Sequence, residues 1–383
     1  MKKYANLPIA AFALLSFVSI AVGNVLLGIA TLCFLIYAVR NKDTLQLQNK
    51  TYYAALAVFV ATMLISALTS GDIGKGMKAW ADLWIWRVMP FVIITLSVKE
   101  ACAAKKILAC ALVSVSIGFI CLIYQGVSGE SRAAGFFGHP MTFAGYLCIF
   151  LPGLLVCFLD REIYGRWRWL AGFGVVLGCF ALLFNATRGA WLALTPVLLF
   201  IIGYYLLKKN KLAILCLALV VVAGAGLSQY KPFVKRLATV TDTRKFQSNT
   251  ERLLIWHSAY EMFKDHPVVG VGLGQYKDNY QKKYISPKAK EPYLSHAHNN
   301  FLQMLAENGI VGFAGFLTLL AAFIGYSFKR FWQEKNPYAL MMSMSTLALV
   351  LQGFTEYNFG NSAVMKSFWL AQGCLFVLSY VKK

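Results

Sequence analysis

A cluster of polar residues, Ser295–Leu302, contains two histidines and two asparagines and directly precedes a long apolar segment. Imidazole can give or take a proton near neutral pH, and the free N–H groups of a helix N-terminus stabilise a bound anion. His298 is therefore a candidate acid–base residue, with an interfacial capping role as the alternative, and His296 and Asn299 are candidate substrate ligands. The two histidines could also bind a metal ion, but no acidic residue or cysteine close by in the sequence completes a ligand set, so we predict no metal.

Four arginines form a second group of candidates. Arg188 and Arg132 lie in short turns between apolar segments, Arg252 begins a segment with helical spacing, and Arg87 follows two tryptophans. The planar guanidinium can make two parallel hydrogen bonds to phosphate oxygens, and a charge at membrane depth is costly and usually functional. We therefore expect a phosphate-bearing ligand, with Arg132 and Arg87 among its contacts. The alternatives are snorkelling for Arg188 and Arg132, a solvated helix face for Arg252 and an interfacial anchor for Arg87.

The remaining sequence consists mostly of apolar runs. Hydrophobic residues make up 58% of the chain and charged residues 14%, against about a quarter charged in soluble domains. Roughly 20 apolar residues cross the membrane as a helix, because lipid offers no partner for backbone polar groups. The sequence predicts an all-α polytopic membrane protein, with residues 1–383 as a single integral membrane domain of about 12 transmembrane helices. The predicted spans are 6–22, 24–39, 51–70, 82–98, 107–124, 141–159, 169–185, 189–207, 212–229, 299–328, 337–354 and 363–381.

The net charge of +21 is concentrated in the short loops of one side of the membrane. Because Lys and Arg favour cytoplasmic loops, this distribution predicts that both termini are cytoplasmic, and it argues against a nucleic-acid-binding surface. The nine cysteines show no spacing typical of a zinc or iron–sulfur site, and no cofactor is predicted.

One long polar segment, 230–297, lies between predicted helices 9 and 10 and is predicted to be a large periplasmic loop that forms part of the active site. Within it, Glu251–Lys264 has the apolar spacing of a helix, and Asn249-Thr250 is a predicted N-cap. Three glycines follow at alternate positions, and Tyr276–Tyr284 is predicted as a second helix. The glycines lack the strand–turn–helix setting of a dinucleotide site.

These motifs together resemble the O-antigen ligase and polymerase superfamily of bacterial inner-membrane glycosyltransferases. The segment from His296 to Gln303, followed by Glu307-Asn308-Gly309, carries the strongest similarity. Thr187–Trp191 is the second match, and Glu251–Trp256 with the later proline and glycines is the third. Ser131–Pro140 is a weaker fourth. The similarity in topology extends over the whole chain.

The resemblance implies a metal-independent glycosyltransferase of the GT-C type in the inner membrane, with its active site on the periplasmic side. The donor would be a glycan linked to undecaprenyl pyrophosphate, and the acceptor would be lipid A–core. Arg188 and Arg252 would bind the pyrophosphate, and His298 would activate the acceptor hydroxyl or assist departure. Inversion at the anomeric carbon is expected. Beyond these two substrates, the only expected partners are membrane lipids.

Three alternatives remain open from sequence. An O-antigen polymerase would use the same donor but a second lipid-linked glycan as acceptor. A protein O-oligosaccharyltransferase is expected to carry an additional C-terminal region. A transporter is expected to show internal repeats and broken helices near the middle of the membrane, and the polar cluster here is predicted at the outer surface instead.

Overall fold

The computed structural model describes residues 2–41, 47–229, 231–239 and 247–380, and all regular secondary structure within them is helical. The all-α class predicted from the sequence is confirmed. Eleven α-helices precede the long polar segment: α1 (Lys2–Leu15), α2 (Ile20–Arg40), α3 (Lys50–Leu68), α4 (Ile73–Trp80), α5 (Met89–Ser97), α6 (Ala101–Val127), α7 (Pro140–Leu159), α8 (Arg161–Tyr164), α9 (Arg168–Asn185), α10 (Arg188–Leu207) and α11 (Lys211–Gln229).

The long polar segment contains three helices, and four more follow it. These are α12 (Lys231–Ala238), α13 (Gln247–Asp265), α14 (Tyr276–Asn279), α15 (Asn300–Leu320), α16 (Ser327–Glu334), α17 (Pro337–Gln352) and α18 (Ser362–Tyr380). The helix predicted over Tyr276–Tyr284 is present, because α14 continues as a π-turn through Tyr280–Tyr284. The N-cap prediction is wrong: α13 begins before Asn249, and the Asn249 side chain contacts an arginine of the cavity described below.

Ten helical segments of the described chain are long and apolar enough to cross a membrane. The first and eleventh predicted spans correspond to shorter apolar helices, Asn6–Leu15 and Pro337–Gln352. The chain is therefore a multi-pass membrane protein by helix length and composition, while the total of twelve spans stays a prediction.

Helices α7 and α18 form the centre of the bundle, since nearly all their residues are buried. They pack on each other and on α17, while α9 and α6 cover their outer sides. Helix α11 lies at the periphery, where Ala213 is its one buried residue among those described. The end of the bundle that carries α13, α14 and the start of α15 is called the loop end below.

Helix α15 is broken near the loop end, and the glycine-rich segment of the loop fills the break. Gly309 has a φ of 57°, a left-handed value that glycine adopts at little cost. The backbone N–H groups of Ile310 and Val271 donate across this junction to the carbonyls of Pro267 and Ala306. A Cβ on Gly270 would lie 2.3 Å from the Glu307 carbonyl carbon, so the two backbones approach too closely for a side chain.

This junction brings together two motifs that lie apart in the sequence, the loop glycines and Glu307-Asn308-Gly309. The carboxylate of Glu307 accepts a hydrogen bond from the Tyr276 N–H at 3.1 Å, and its carbonyl accepts one from Ser66 at 2.8 Å. Glu307 is thus a structural residue that fastens α14 and α3 to the break in α15. The loop is attached to the bundle by backbone hydrogen bonds and does not lie on it as a separate domain.

Candidate active site

Four arginines line one cavity of about 400 Å³ at the loop end. Arg132, Arg188 and Arg252, predicted from three distant segments, meet here. The fourth, Arg236 on α12, was missed by the sequence analysis, because it stands among other basic residues of a long polar segment and nothing distinguished it from a solvated charge. Met141, Gly189 and Thr355 complete the lining.

Arg188 is held at the first position of α10 by hydrogen bonds to the loop. One terminal nitrogen, Nη1, donates to the Thr239 carbonyl and to its hydroxyl at 3.1 Å. The other, Nη2, donates to the Asn249 side-chain oxygen at 2.8 Å. These contacts orient the guanidinium and connect the start of α10 with the end of α12 and the first turn of α13.

Arg132 is positioned by a different set of contacts. Asn185 donates from its side chain to the carbonyls of Ala133 and Pro140, at 3.0 and 2.9 Å, which holds the Arg132 segment against the end of α9. Gln125 accepts from the Gly135 N–H at 2.8 Å. Two guanidinium nitrogens of Arg132, Nε and Nη2, are nevertheless buried without a hydrogen-bond partner. An unpaired buried donor is costly, so these atoms are available to an anionic ligand.

The electrostatics of the cavity favour an anion. Burial lowers the pKa of Arg132, and the nearby charges of Arg236 and Arg252 lower it further. Burial also lowers the pKa of Arg236 and of Arg252, although Glu356 counteracts the shift at Arg252. Guanidinium groups remain protonated at neutral pH in spite of such shifts. Four positive charges therefore repel one another around a cavity that a polyanion would stabilise.

A second cavity of about 560 Å³ adjoins the first and is largely apolar. It shares Arg188, Arg252, Gly189 and Thr355 with the first cavity, and it adds Leu192, Leu253 and Trp256. The indole N–H of Trp256 is buried without a partner. A ligand with an anionic group and an apolar chain would fit both cavities at once.

His298 and Glu356 form a pair beside the arginines. His298 Nδ1 lies 3.3 Å from Glu356 Oε2, and the backbone of His298 is left-handed, with a φ of 49°. Non-glycine residues in this conformation are strained and concentrate at functional sites. Burial alone would raise the pKa of Glu356, but the hydrogen bond to His298 and the charge of Arg252 are among the effects that lower it overall. The carboxylate is therefore ionised at neutral pH and faces the imidazole.

Asn299 and Asn300 position this pair. Asn299 Oδ1 accepts from the N–H groups of Phe301 and Leu302, at 2.9 and 3.1 Å, and so caps α15, while its Nδ2 donates to the Phe354 carbonyl. Asn300 Nδ2 donates to Asn358 Oδ1 at 2.8 Å. The two asparagines thus fix the turn between α17 and α18, which carries Glu356. Asn299, predicted as a substrate ligand, has the position of a helix cap and lines neither cavity.

His296 packs edge-on against His298, with ring centroids 4.1 Å apart. Burial and the adjacent His298 lower the pKa of His296 to about 4, so its ring is neutral near pH 7. His296, His298 and Glu356 offer ligand atoms within 4.8 Å of one another, a set of the types that could hold a divalent metal. However, Arg132 and Arg252 act electrostatically on Glu356, and their charges would repel a dication from this position.

Arg87 lies apart from the cavities. Its Nη2 forms an ion pair with Asp82 at 2.7 Å, and its Nη1 donates to the Gly360 carbonyl at 2.6 Å. These bonds secure the turn after Glu356 against the helix that runs into α5. In the structure the contacts of Arg87 are made within the fold, whereas the sequence analysis predicted that Arg87 binds substrate.

Residues 173–317 match a family model described as O-antigen ligase. This segment, less than half of the chain, is similar to the O-antigen ligase family. The match to the O-antigen ligase family runs from α9 into α15 and includes Arg188, Arg236, Arg252 and His298, whereas Arg132 and Glu356 lie outside it. No curated protein matches the chain. This similarity supports, in general terms, a function of the O-antigen ligase or polymerase type on lipid-linked glycans.

Proposed function

We propose that the protein is an O-antigen ligase that transfers a glycan from undecaprenyl pyrophosphate to lipid A–core on the periplasmic face of the bacterial inner membrane. The observation that carries the proposal is the four-arginine cavity, which adjoins an apolar cavity on one side and the His298–Glu356 pair on the other. A transporter would not need an acid–base pair beside an anion site, whereas transfer from a lipid pyrophosphate needs both.

The donor fits the two cavities by charge and polarity. Its pyrophosphate occupies the first cavity, where Arg188 and Arg252 bind phosphate oxygens and Arg132 offers two further donors. The first isoprene units lie in the second cavity, against Leu253 and Trp256. Preorganised guanidinium groups supply the charge stabilisation for which other phosphate enzymes use a metal ion, so the proposed reaction is metal-independent.

The proposed reaction is a single displacement. Glu356 accepts the Nδ1–H of His298, so the lone pair on Nε2 is available to take the proton of the acceptor hydroxyl. The hydroxyl oxygen then bonds to the anomeric carbon of the donor, and the bond from that carbon to the phosphate oxygen breaks. Its electron pair leaves with undecaprenyl pyrophosphate, where the arginines stabilise the added negative charge. Attack opposite the leaving group inverts the anomeric configuration.

Purified protein incubated with lipid-linked O-polysaccharide and lipid A–core tests this proposal. Transfer to lipid A–core is expected in the presence of a chelator, and His298→Ala is expected to lower its rate about 100- to 10,000-fold, the usual contribution of a general base. Growth of the glycan on the lipid carrier would instead identify a polymerase. Wild-type transfer by His298→Ala would remove the histidine from the mechanism.

A further inference from the structure

A small, shallow cavity opens between the turn that joins α1 to α2 and the first turns of α18, away from the arginine cavity. Phe12, Ile20, Gly23 and Ala363 form its apolar lining, and Ser16 and Lys366 supply its polar atoms. The residues around its mouth include exposed apolar side chains of the α1–α2 turn, such as Val18 and Ile20. These side chains face lipid in a multi-pass protein, so the cavity is reached from the membrane.

The charge of Lys366 is incompletely balanced by the protein. Lys366 lies in a membrane-spanning helix and is 4% exposed, and its ammonium donates to a neutral oxygen, Oδ1 of Asn24. Arg87 and Asp82 lie close enough to act on it electrostatically, but Asp82 is already paired with Arg87. The group of three thus carries one positive charge in excess. Ionisable residues inside a membrane are expensive and normally find a partner.

Ser16 provides an independent observation. Its side chain is 8% exposed, and its hydroxyl is buried without a hydrogen-bond partner. A Cβ added to Gly23 would lie 3.1 Å from the Cα and Cβ of Ser16, so the helices approach closely here and hold the hydroxyl at the cavity wall. A buried hydroxyl donor and a buried ammonium donor beside one cavity call for a ligand with several acceptor oxygens.

We propose that this cavity binds the phosphate of a membrane lipid in the leaflet at the loop end, with Lys366 as its charged ligand and Ser16 as its hydroxyl ligand. The cavity is too small for a glycan, so the lipid stays in the bilayer and its phosphate oxygens reach Lys366 and Ser16 from the mouth of the cavity. The acyl chains would lie along the exposed apolar face of the α1–α2 turn. The phosphate can belong to an ordinary phospholipid or to the lipid A part of an acceptor, and the two sources present the same oxygens.

The test is a titration of the purified protein in detergent, with lipid binding followed by native mass spectrometry. The probes are phosphatidylglycerol, diacylglycerol without a phosphate, and bisphosphorylated lipid A. Wild-type protein is expected to bind a phosphate-bearing probe more tightly than diacylglycerol. Lys366→Met is expected to weaken that binding roughly ten- to hundredfold, the loss of one hydrogen bond to a charged group, and Ser16→Ala is expected to weaken it by a few-fold.

Lys366→Met keeps the length of the side chain and removes an incompletely paired buried charge, so the variant is expected to fold. Lys106→Met, which changes an exposed lysine at the start of α6, is the matched control and is expected to bind like wild type. Binding of lipid A without binding of phosphatidylglycerol would support the site and identify the acceptor lipid as its source. Wild-type affinity in Lys366→Met, or equal affinity for diacylglycerol, would overturn the proposal.

Discussion

His298 Nδ1 and Glu356 Oε2 lie 3.3 Å apart, although 58 residues of sequence separate the two side chains. The contact depends on Asn299 and Asn300, which fasten the turn containing Glu356 to the start of α15. Glu356 orients the imidazole, and it does not itself reach the first cavity. It is a positioning residue for the proposed general base.

Glu356→Gln is therefore expected to lower kcat for glycan transfer by about 10- to 100-fold, less than the loss on removing the base itself. The amide keeps the shape but loses the charge that favours the Nδ1–H tautomer of His298. KM for either substrate is expected to change little, and Glu356→Asp is expected to restore part of the rate. Equal kcat in Glu356→Gln and wild type would show that the pair has no part in proton transfer.

Arg132→Gln is expected to lower kcat by about 100-fold or more, as removal of one donor from an oxyanion site commonly does. Arg132 is singled out because two of its buried nitrogens lack partners, whereas Arg188 already donates to Thr239 and Asn249. Steady-state kinetics with varied donor provides the measurement. Arg166→Gln, an exposed arginine between α8 and α9, is the control, and an unchanged kcat in Arg132→Gln would contradict the assignment.

His296 makes one contribution to the pH dependence of stability. Burial lowers its pKa to about 4 in the folded protein, against about 6.5 in an unfolded chain. Between these values the unfolded state binds more protons, so stability falls as the pH decreases from about 6.5 to 4 and is constant with respect to this group above that window. The measurement is Tm of the purified protein at several pH values.

His296→Gln is expected to reduce the dependence of Tm on pH within this window, because the variant lacks the buried imidazole at position 296. Glu356 acts in the same direction at lower pH, since its pKa is also lowered. A wild-type slope that persists in His296→Gln would assign the effect to another group.

Gly309→Ala is expected to destabilise the protein by about 1–3 kcal/mol from the backbone conformation alone, which combines a positive φ with a ψ of −159°, with an additional loss from crowding. A Cβ at this position would lie 2.4 Å from the Val268 carbonyl carbon. Thermal unfolding provides the measurement. Gly203→Ala in α10, where a Cβ meets nothing within 4 Å, is the matched control, and similar Tm values for the two variants would contradict the close approach.

Much of the fold could be predicted from the sequence, because long apolar runs indicate membrane-spanning helices. The spans predicted over 6–22 and 337–354 correspond to α1 and α17, the helices whose length alone does not establish a crossing. The residues of the candidate site were harder to predict from the sequence. Arg132, Arg188, Arg252 and His298 had unusual neighbours in the sequence, whereas Arg236 resembled an ordinary loop cation. The role of Glu356 depended on a contact between remote segments, which no local pattern reports.

The junction between the loop and the broken helix α15 limits how this protein can be re-engineered. Hydrogen bonds join the backbone at Pro267, Val268 and Val271 to α15 on both sides of Gly309. A chimera that takes the loop from a related protein but keeps α15 of this one would therefore separate two backbone segments that are hydrogen-bonded to each other. Donor preference is expected to transfer only in grafts that move residues 267–311 as one block.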